Sequence, residues 1–319
     1  MNNSVFITFL SPPHVVKKAQ EKFTAVISDH ECSTEEILKI ANAKKASALM
    51  VSHRQKINAE TIAQLPDTVK IISTCSVGFD NLDIQAAKAR GIYLTNTSDV
   101  LTDCTADLAM LLMLNACRRG REYLEIMQQG WGHSYGQSEM LGVRVTGKTL
   151  GIYGMGRIGR AVADRARGFG MKILYCNRQR LTTDLEKDAT YFESLHDMLP
   201  HCDILSLNAP GSAETKNIMN DEAFGKLKPG AVLVNVARGT LVDEDALIRA
   251  LESKHLFAAG LDVFQEEPNF NKRLLEYHNV FLTPHMASAT VETRDDMGYL
   301  CLENIELVLK GHKPKTPLW

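Results

Sequence analysis

Three short segments in the second half of the chain hold the side chains best suited to chemistry. Asn235-Val236-Ala237-Arg238-Gly239 offers a guanidinium. Asp262-Val263-Phe264-Gln265-Glu266-Glu267-Pro268 offers a carboxylate, and Thr283-Pro284-His285-Met286-Ala287-Ser288 offers an imidazole. Each follows an apolar run that reads as a strand, and open parallel sheets place ligands at the carboxyl ends of their strands. Singly, each has an ordinary explanation: Arg238 as a surface ion pair, Glu267 as a helix-capping acid, His285 as a satisfied loop histidine. Together they form an anion binder, a carboxylate and a titratable group at equivalent topological positions. Carbonyl reduction needs that set, because charge grows on the oxygen and a proton must be delivered to it. Free imidazole titrates near ~6.5, and an adjacent carboxylate favours its protonated form.

A second constellation lies upstream. Leu150-Gly151-Ile152-Tyr153 runs into Gly154-Met155-Gly156-Arg157-Ile158-Gly159, a GxGxxG pattern. By itself that pattern is weak, and a merely structural Gly-rich turn would also explain it. Here it follows a strand, opens a helical pattern at 160–167 and precedes a second strand at 172–175, which is the context of a dinucleotide fingerprint. Gly154 permits the turn, Gly156 lets the backbone approach a pyrophosphate, and Gly159 lets helix and strand pack closely. The helix N-terminus presents backbone N–H groups to the phosphates, and Arg157 and Ile158 of the fingerprint are counted among the cofactor-binding residues. The second strand ends Tyr175-Cys176-Asn177-Arg178-Gln179-Arg180. An acid is usual there in chains that prefer NAD, because it bonds the ribose 2′-hydroxyl. Asn177 is neutral, and Arg178 and Arg180 are placed to pair with a 2′-phosphate, unless they are simply solvated surface arginines. The expectation is NADPH preferred over NADH.

These residues require a scaffold of alternating strands and helices. Strands are predicted at 5–10, 24–27, 48–51, 69–74 and 92–95, with helices at 34–43 and 83–89 between them. Ser98 or Asp99 is placed to cap a long helix reaching Arg118. The Gly-, Trp- and Tyr-containing stretch 130–136 reads as an irregular arm. A second alternating series follows, with strands at 149–153, 172–175, 204–207, 231–235, 257–261 and 280–282, and a last helix spans 291–309. Strand–helix alternation implies βαβ units and parallel sheets.

The bulk properties narrow the classes. The 319 residues are ample for two domains. A hydrophobic share of 45%, a charged share of 23% and a net charge of −2 are ordinary for a globular chain. They give no electrostatic case for nucleic-acid or membrane partners. The seven cysteines form no CxxC pair and no His/Cys cluster with ligand spacing, so a reduced cytoplasmic setting is expected and no metal site. The first ten residues lack a signal-peptide pattern, and the apolar stretch 108–117 is too short to span a bilayer.

The motifs SVGFDNLD at 76–83, GKTLGIYGMGRIG at 147–159, NVARG at 235–239, DVFQEEP at 262–268 and TPHMAS at 283–288 resemble, in order and spacing, the D-isomer-specific 2-hydroxyacid dehydrogenases, and within them the glyoxylate/hydroxypyruvate reductase branch. The resemblance covers essentially the whole chain. It implies an α/β fold of two doubly wound parallel-sheet domains, with a Rossmann NAD(P)-binding domain (99–290) inserted into a flavodoxin-like substrate domain (1–98 plus 291–319). The active site would lie in the cleft between them. It implies that Arg238 holds the substrate carboxylate and carbonyl oxygen, that His285 is the acid/base, and that Glu267 is its partner. Val77 and Gly78 would bind the carboxylate through backbone N–H groups, with Ser288 also at the substrate. Pro210, Thr215, Val236, Asp262 and Ala287 would lie near the cofactor. Ala287 departs from the glycine usual after the histidine, where Ile-Gly-Ser or similar is the common pattern. A homodimer using an arm near 130–147, with Trp131 or Tyr135 reaching the partner, is also implied. The implied reaction is reduction of a small 2-oxo acid to a D-2-hydroxy acid. A formate dehydrogenase is a further reading, but that branch resembles a Gln–His pairing and Glu267 argues against it. Two alternatives remain open at this point: a 3-phosphoglycerate dehydrogenase-like branch and a nucleotide-gated corepressor-like scaffold.

Overall fold

Parallel neighbours cannot be joined by tight turns, so each strand must be followed by a crossover. The computed structural model describes residues 3–319. All pairings among its named strands are parallel. The chain divides into two units, one ending at Leu101 and resuming with Ser288–Trp319, the other running Thr102–Ala287.

The first unit contains β1 (Ser4–Ile7), β2 (Thr24–Ile27), β3 (Ala48–Val51), β4 (Ile71–Thr74) and β5 (Tyr93–Thr95) in the order β2-β1-β3-β4-β5. This is the flavodoxin-like winding. Strands β1, β3 and β4 are buried at every position, which is why they read as unbroken apolar runs, whereas edge strand β2 is only half-buried. The helix Thr34–Ala43 starts at a reciprocal cap: Ser33 Oγ accepts the Glu36 N–H, and Glu36 Oε2 accepts the Ser33 N–H at 2.8 Å. The last helix, Val291–Leu309, returns to this unit. Gly298 lies so close to Val15 that a Cβ there would sit 2.4 Å from its Cγ2.

One ion pair ties that helix to the helix Pro13–Lys22. Glu306 bonds Lys22 across the two helices and Lys310 along its own at 2.7 Å. The Lys22 and Lys310 ammonium groups hold its carboxyl down to about 2, from an ordinary 4.5. The folded value is the lower one, so this contribution is complete above about pH 4.5 and is lost as pH falls through about 2. Glu306→Gln is therefore expected to destabilise by about 1 kcal/mol or less near neutral pH. The difference should vanish near pH 2, as calorimetric melting across pH would show. A difference that stayed constant with pH would remove the pair from the stability of this unit.

The second unit contains β6 (Thr149–Tyr153), β7 (Lys172–Cys176), β8 (Thr190–Phe192), β9 (Ile204–Leu207), β10 (Ala231–Asn235), β11 (Leu256–Leu261) and β12 (Val280–Leu282), in the order β12-β11-β10-β9-β6-β7-β8. This is the Rossmann winding, with the order reversing between β6 and β9. Alternate residues feed two cores. Leu205, Leu207, Leu233 and Ala259 join one, while Ile204, Val232, Val234 and Ala258 join the other. The second core also takes Ala109, Leu112 and Met113 of the helix Thr102–Cys117. Gly260 lets β11 close on that helix, since a Cβ there would meet Leu112 at 2.9 Å.

One sequence expectation needs correction. The long helix begins at Thr102, not beside Ser98 or Asp99. Asp99 has φ 84, a left-handed conformation, whereas an N-cap residue sits in the extended region. Between that helix and the arm, Gly120–Gln128 forms a further helix on which the sequence reading made no assignment. Its glycine start and polar content hid it. Residues 129–148 beyond it contain no helix or strand, as expected of the arm.

Candidate active site

The fingerprint folds as a strand, a turn and a helix. Gly154 has φ 94, and a Cβ on it would lie 2.4 Å from the Ala209 nitrogen, so the loop packs directly on the chain leaving β9. A Cβ on Gly159 would lie 2.4 Å from the Gly154 carbonyl oxygen. Gly156 differs: a Cβ there would meet nothing within 4 Å. Gly156 is the N-cap of the helix Arg157–Gly168, and no side chain caps it. There is thus open space beside Gly156, at the start of the helix that carries Arg157 and Ile158 in its first turn. The residues fit a dinucleotide pyrophosphate.

At the end of β7, Asn177 Oδ1 accepts the Met155 N–H at 2.7 Å, so the residue in the ribose-reading position also braces the glycine loop. Arg178 is exposed. Arg180, expected to share a 2′-phosphate with it, is instead held bidentately by Glu186 at 2.8 and 2.9 Å. That pairing raises the Arg180 guanidinium and lowers the Glu186 carboxyl. Sequence reading missed Glu186 because its helix, Thr183–Glu186, is a single turn without an apolar pattern.

The loop after β9 is closed by Thr215, whose Oγ1 donates to the Pro210 carbonyl at 2.9 Å and accepts the Ser212 N–H at 2.8 Å. After β10, Val236 is buried and the Asn235 side chain shapes the turn. It accepts the Ala237 N–H at 3.0 Å and donates to the Arg238 carbonyl at 2.9 Å. The Arg238 guanidinium donates to the Ala237 carbonyl at 2.8 Å and is half-buried. A Cβ on Gly239 would overlap the Phe264 backbone, so the arginine turn and the loop bearing Glu267 are in direct contact.

Glu267 and His285 meet. Glu267 Oε2 lies 2.6 Å from His285 Nδ1, and its Oε1 accepts the Phe264 N–H at 2.9 Å. Beneath them Asp262 organises the histidine loop. It is fully buried and accepts the Thr283 hydroxyl at 2.6 Å, the Met286 N–H at 2.8 Å and the Ala287 N–H at 3.0 Å. Its own carbonyl accepts the His285 N–H at 2.8 Å. Burial nonetheless pushes the Asp262 carboxyl above its ordinary value. These bonds hold His285 at φ 55, a conformation unusual for a non-glycine residue. Sequence reading placed Asp262 near the cofactor and missed this bracing role, which no local pattern announces.

In the first unit, the Val77 carbonyl accepts Asn96 Nδ2 at 2.8 Å and the Gly78 carbonyl accepts Ser76 Oγ at 2.6 Å. A trans peptide turns the Gly78 N–H opposite the Val77 carbonyl, so these bonds fix where that donor points. Ser288 stands half-buried at the start of this unit's returning segment.

A doubly wound sheet opening on a dinucleotide fingerprint, with an imidazole–carboxylate pair and a guanidinium beyond its strand ends, defines a nicotinamide-dependent oxidoreductase. Comparison with known proteins agrees. Residues 110–287 match the family model "D-isomer specific 2-hydroxyacid dehydrogenase, NAD binding domain". A glyoxylate reductase of Thermococcus kodakarensis is 39% identical over 99% of this chain and 96% of its own. A glycerate dehydrogenase of Hyphomicrobium methylovorum is 37% identical over 96% of each. The crystal structure of an NADPH-dependent glyoxylate/hydroxypyruvate reductase from Sinorhizobium meliloti, in complex with NADP and malonate, superposes with a TM-score of 0.88 at 33% identity, covering 100% of this chain and 97% of that one. The chain belongs to the D-isomer-specific 2-hydroxyacid dehydrogenases. Among the described residues, no helix is long and apolar enough to cross a membrane.

Proposed function

We propose that this enzyme reduces small 2-oxo acids, glyoxylate and hydroxypyruvate foremost, to D-2-hydroxy acids, and prefers NADPH to NADH. The 2.6 Å contact between Glu267 Oε2 and His285 Nδ1 carries the reading. It holds Nδ1 on a carboxylate, which makes Nε2, across the ring, the nitrogen that would donate the proton. A reduced nicotinamide bound at the fingerprint would supply the hydride. Arg238 stabilises the negative charge that grows on the carbonyl oxygen, and His285 delivers the proton to that oxygen. Val77 and Gly78 donate backbone N–H groups to the substrate carboxylate, and Ser288 adds a hydroxyl. Pro210, Thr215, Val236, Asp262 and Ala287 shape the cofactor end. The names of the archaeal, Hyphomicrobium and Sinorhizobium relatives support this substrate class. Initial rates with glyoxylate, hydroxypyruvate, pyruvate, phenylpyruvate and phosphohydroxypyruvate, each with either cofactor, test it. A preference for phosphohydroxypyruvate would move the enzyme to another branch, and no turnover of any of them would make it a binding scaffold.

Cofactor preference rests on Asn177 and Arg178. With Arg180 engaged by Glu186, one arginine is left to meet the 2′-phosphate. A charge-assisted hydrogen bond is worth roughly 1.5–3 kcal/mol, and exposure favours the lower end. That is about a tenfold preference in kcat/KM, since about 1.4 kcal/mol is a factor of ten. Arg178→Ala should erase most of it. Adding Asn177→Asp should reverse it, because the new carboxylate repels the phosphate and bonds the ribose hydroxyl of NADH. Equal use of both cofactors by the wild-type enzyme would refute the preference.

The same reading makes the protein a homodimer. Leu124, Met127, Trp131 and Leu141 are each 56–60% exposed in the helix and arm that follow Arg119, an apolar surface a second copy would cover. A sedimenting monomer at micromolar concentration would count against it.

A further inference from the structure

Far along the sequence from the catalytic motifs, the loop leaving edge strand β2 draws together three side chains whose spacing matches no metal motif. His30, Cys32 and Glu36 each offer a ligand atom, and these atoms all lie within 4.8 Å of one another. The geometry points to a divalent metal site of the zinc class, with His30 Nε2, Cys32 Sγ and Glu36 Oε1 as protein ligands and a fourth position for water.

Three features support the assignment beyond proximity. First, the spacing fits. Bonds of about 2.0–2.2 Å from zinc to nitrogen and oxygen place two tetrahedral ligands roughly 3.4 Å apart. His30 Nε2 and Glu36 Oε1 are 3.2 Å apart. A cation would take the place of the hydrogen bond between them. Second, each ligand is already oriented by another group. Asp29 Oδ1 lies 2.8 Å from His30 Nδ1, which selects Nε2 as the coordinating nitrogen in the carboxylate–histidine–metal arrangement common at zinc sites. Glu36 uses its other oxygen, Oε2, to accept the Ser33 N–H at 2.8 Å and the Ser33 hydroxyl at 3.0 Å, so the helix cap survives ligation through Oε1. Cys32 is pinned through its backbone, its N–H donating to the Thr8 carbonyl at 2.9 Å and its carbonyl accepting Gln55 Nε2 at 3.0 Å. Third, the donor set is selective. An imidazole, a thiolate and one carboxylate suit a borderline ion such as Zn(II), whereas magnesium and calcium prefer oxygen alone. The thiol proton, now donated to Ser28 Oγ at 3.2 Å, leaves to solvent on binding.

Cys32 is buried while His30 and Glu36 are exposed, so the ion would lie at the surface, clamped on the core side by sulfur. Its role would be to lock the turn between β2 and the following helix. Binding to the folded state alone would stabilise the chain in proportion to occupancy.

The test is a Co(II) titration of the full-length, reduced, chelator-treated protein, followed by displacement with Zn(II). One equivalent should develop a thiolate-to-cobalt charge-transfer band that zinc bleaches. Cys32→Ser should abolish the band. His30→Ala should weaken affinity at least tenfold, and Asp29→Asn, which removes only the orienting carboxylate, about tenfold. Both His30 and Asp29 are exposed, so these variants read the site even if Cys32→Ser folds poorly. Absence of the band in the wild type, its persistence in Cys32→Ser through another of the cysteines, or unchanged affinity in His30→Ala would each overturn the assignment.

Discussion

His285→Ala is expected to lower kcat for 2-oxo acid reduction by about 10²–10⁴-fold while leaving NADPH affinity nearly unchanged. The reasoning is local. On the proposed mechanism His285 hands over the proton, and the fingerprint is built from Gly154–Gly159 and the end of β7, elements the substitution does not touch. Glu267→Gln separates proton donation from positioning. A glutamine that keeps its oxygen on the Phe264 N–H turns its amide NH2 toward Nδ1, where the carboxylate now lies at 2.6 Å. Nδ1 must then accept, and the carboxylate that balances charge on the ring is gone, so kcat should fall while NADPH affinity holds. Stopped-flow rates and a cofactor titration decide this. A full-rate His285→Ala enzyme would remove the histidine from the chemistry, and a full-rate Glu267→Gln enzyme would leave Glu267 only a steric partner.

What could be read from sequence was what local pattern controls. The strands β1, β3, β9 and β10 are buried on both faces and stand out as short apolar runs. The glycines of the fingerprint are legible because one strand, one turn and one helix determine their roles, and the last helix was read to its observed ends at 291 and 309. The failures share a different cause. The capping expectation at Ser98 and Asp99 rested on residue type, and the left-handed backbone at Asp99 rules it out. Arg178 and Arg180 look alike in sequence, yet Glu186 takes one of them into a bidentate pair. The site proposed at His30, Cys32 and Glu36 has no metal spacing in sequence to announce it, and the Ser33 cap holds the glutamate on that turn. In each case a tertiary or cap contact chose between options that composition left equal.

Asp262 is the most instructive of these, because its substitution should cost catalysis without touching a reacting atom. Its two carboxylate oxygens accept three donors from the segment 283–287: the Thr283 hydroxyl and the Met286 and Ala287 N–H groups. Its backbone carbonyl takes a fourth, the His285 N–H. Together these bonds brace the loop in which His285 sits at φ 55. In Asp262→Asn one oxygen becomes an NH2 donor. If Oδ1 stays an oxygen, the NH2 opposes the Ala287 N–H; if it flips, the NH2 opposes the Met286 N–H and the Thr283 hydroxyl. Either way a buried donor loses its acceptor, which costs roughly 1–3 kcal/mol and is relieved by moving the loop. A displacement of about 1 Å in a catalytic group can cost on the order of 10²-fold. We therefore expect kcat to fall by about 10–10²-fold, with the KM for substrate and the dissociation constant for NADPH changed much less. That split marks a positioning residue: a purely structural defect would weaken cofactor binding in parallel, and a direct cofactor contact would raise the NADPH constant first. Steady-state rates together with cofactor-fluorescence titration distinguish the three. A kcat that survived Asp262→Asn intact would mean the histidine loop keeps its conformation by other means.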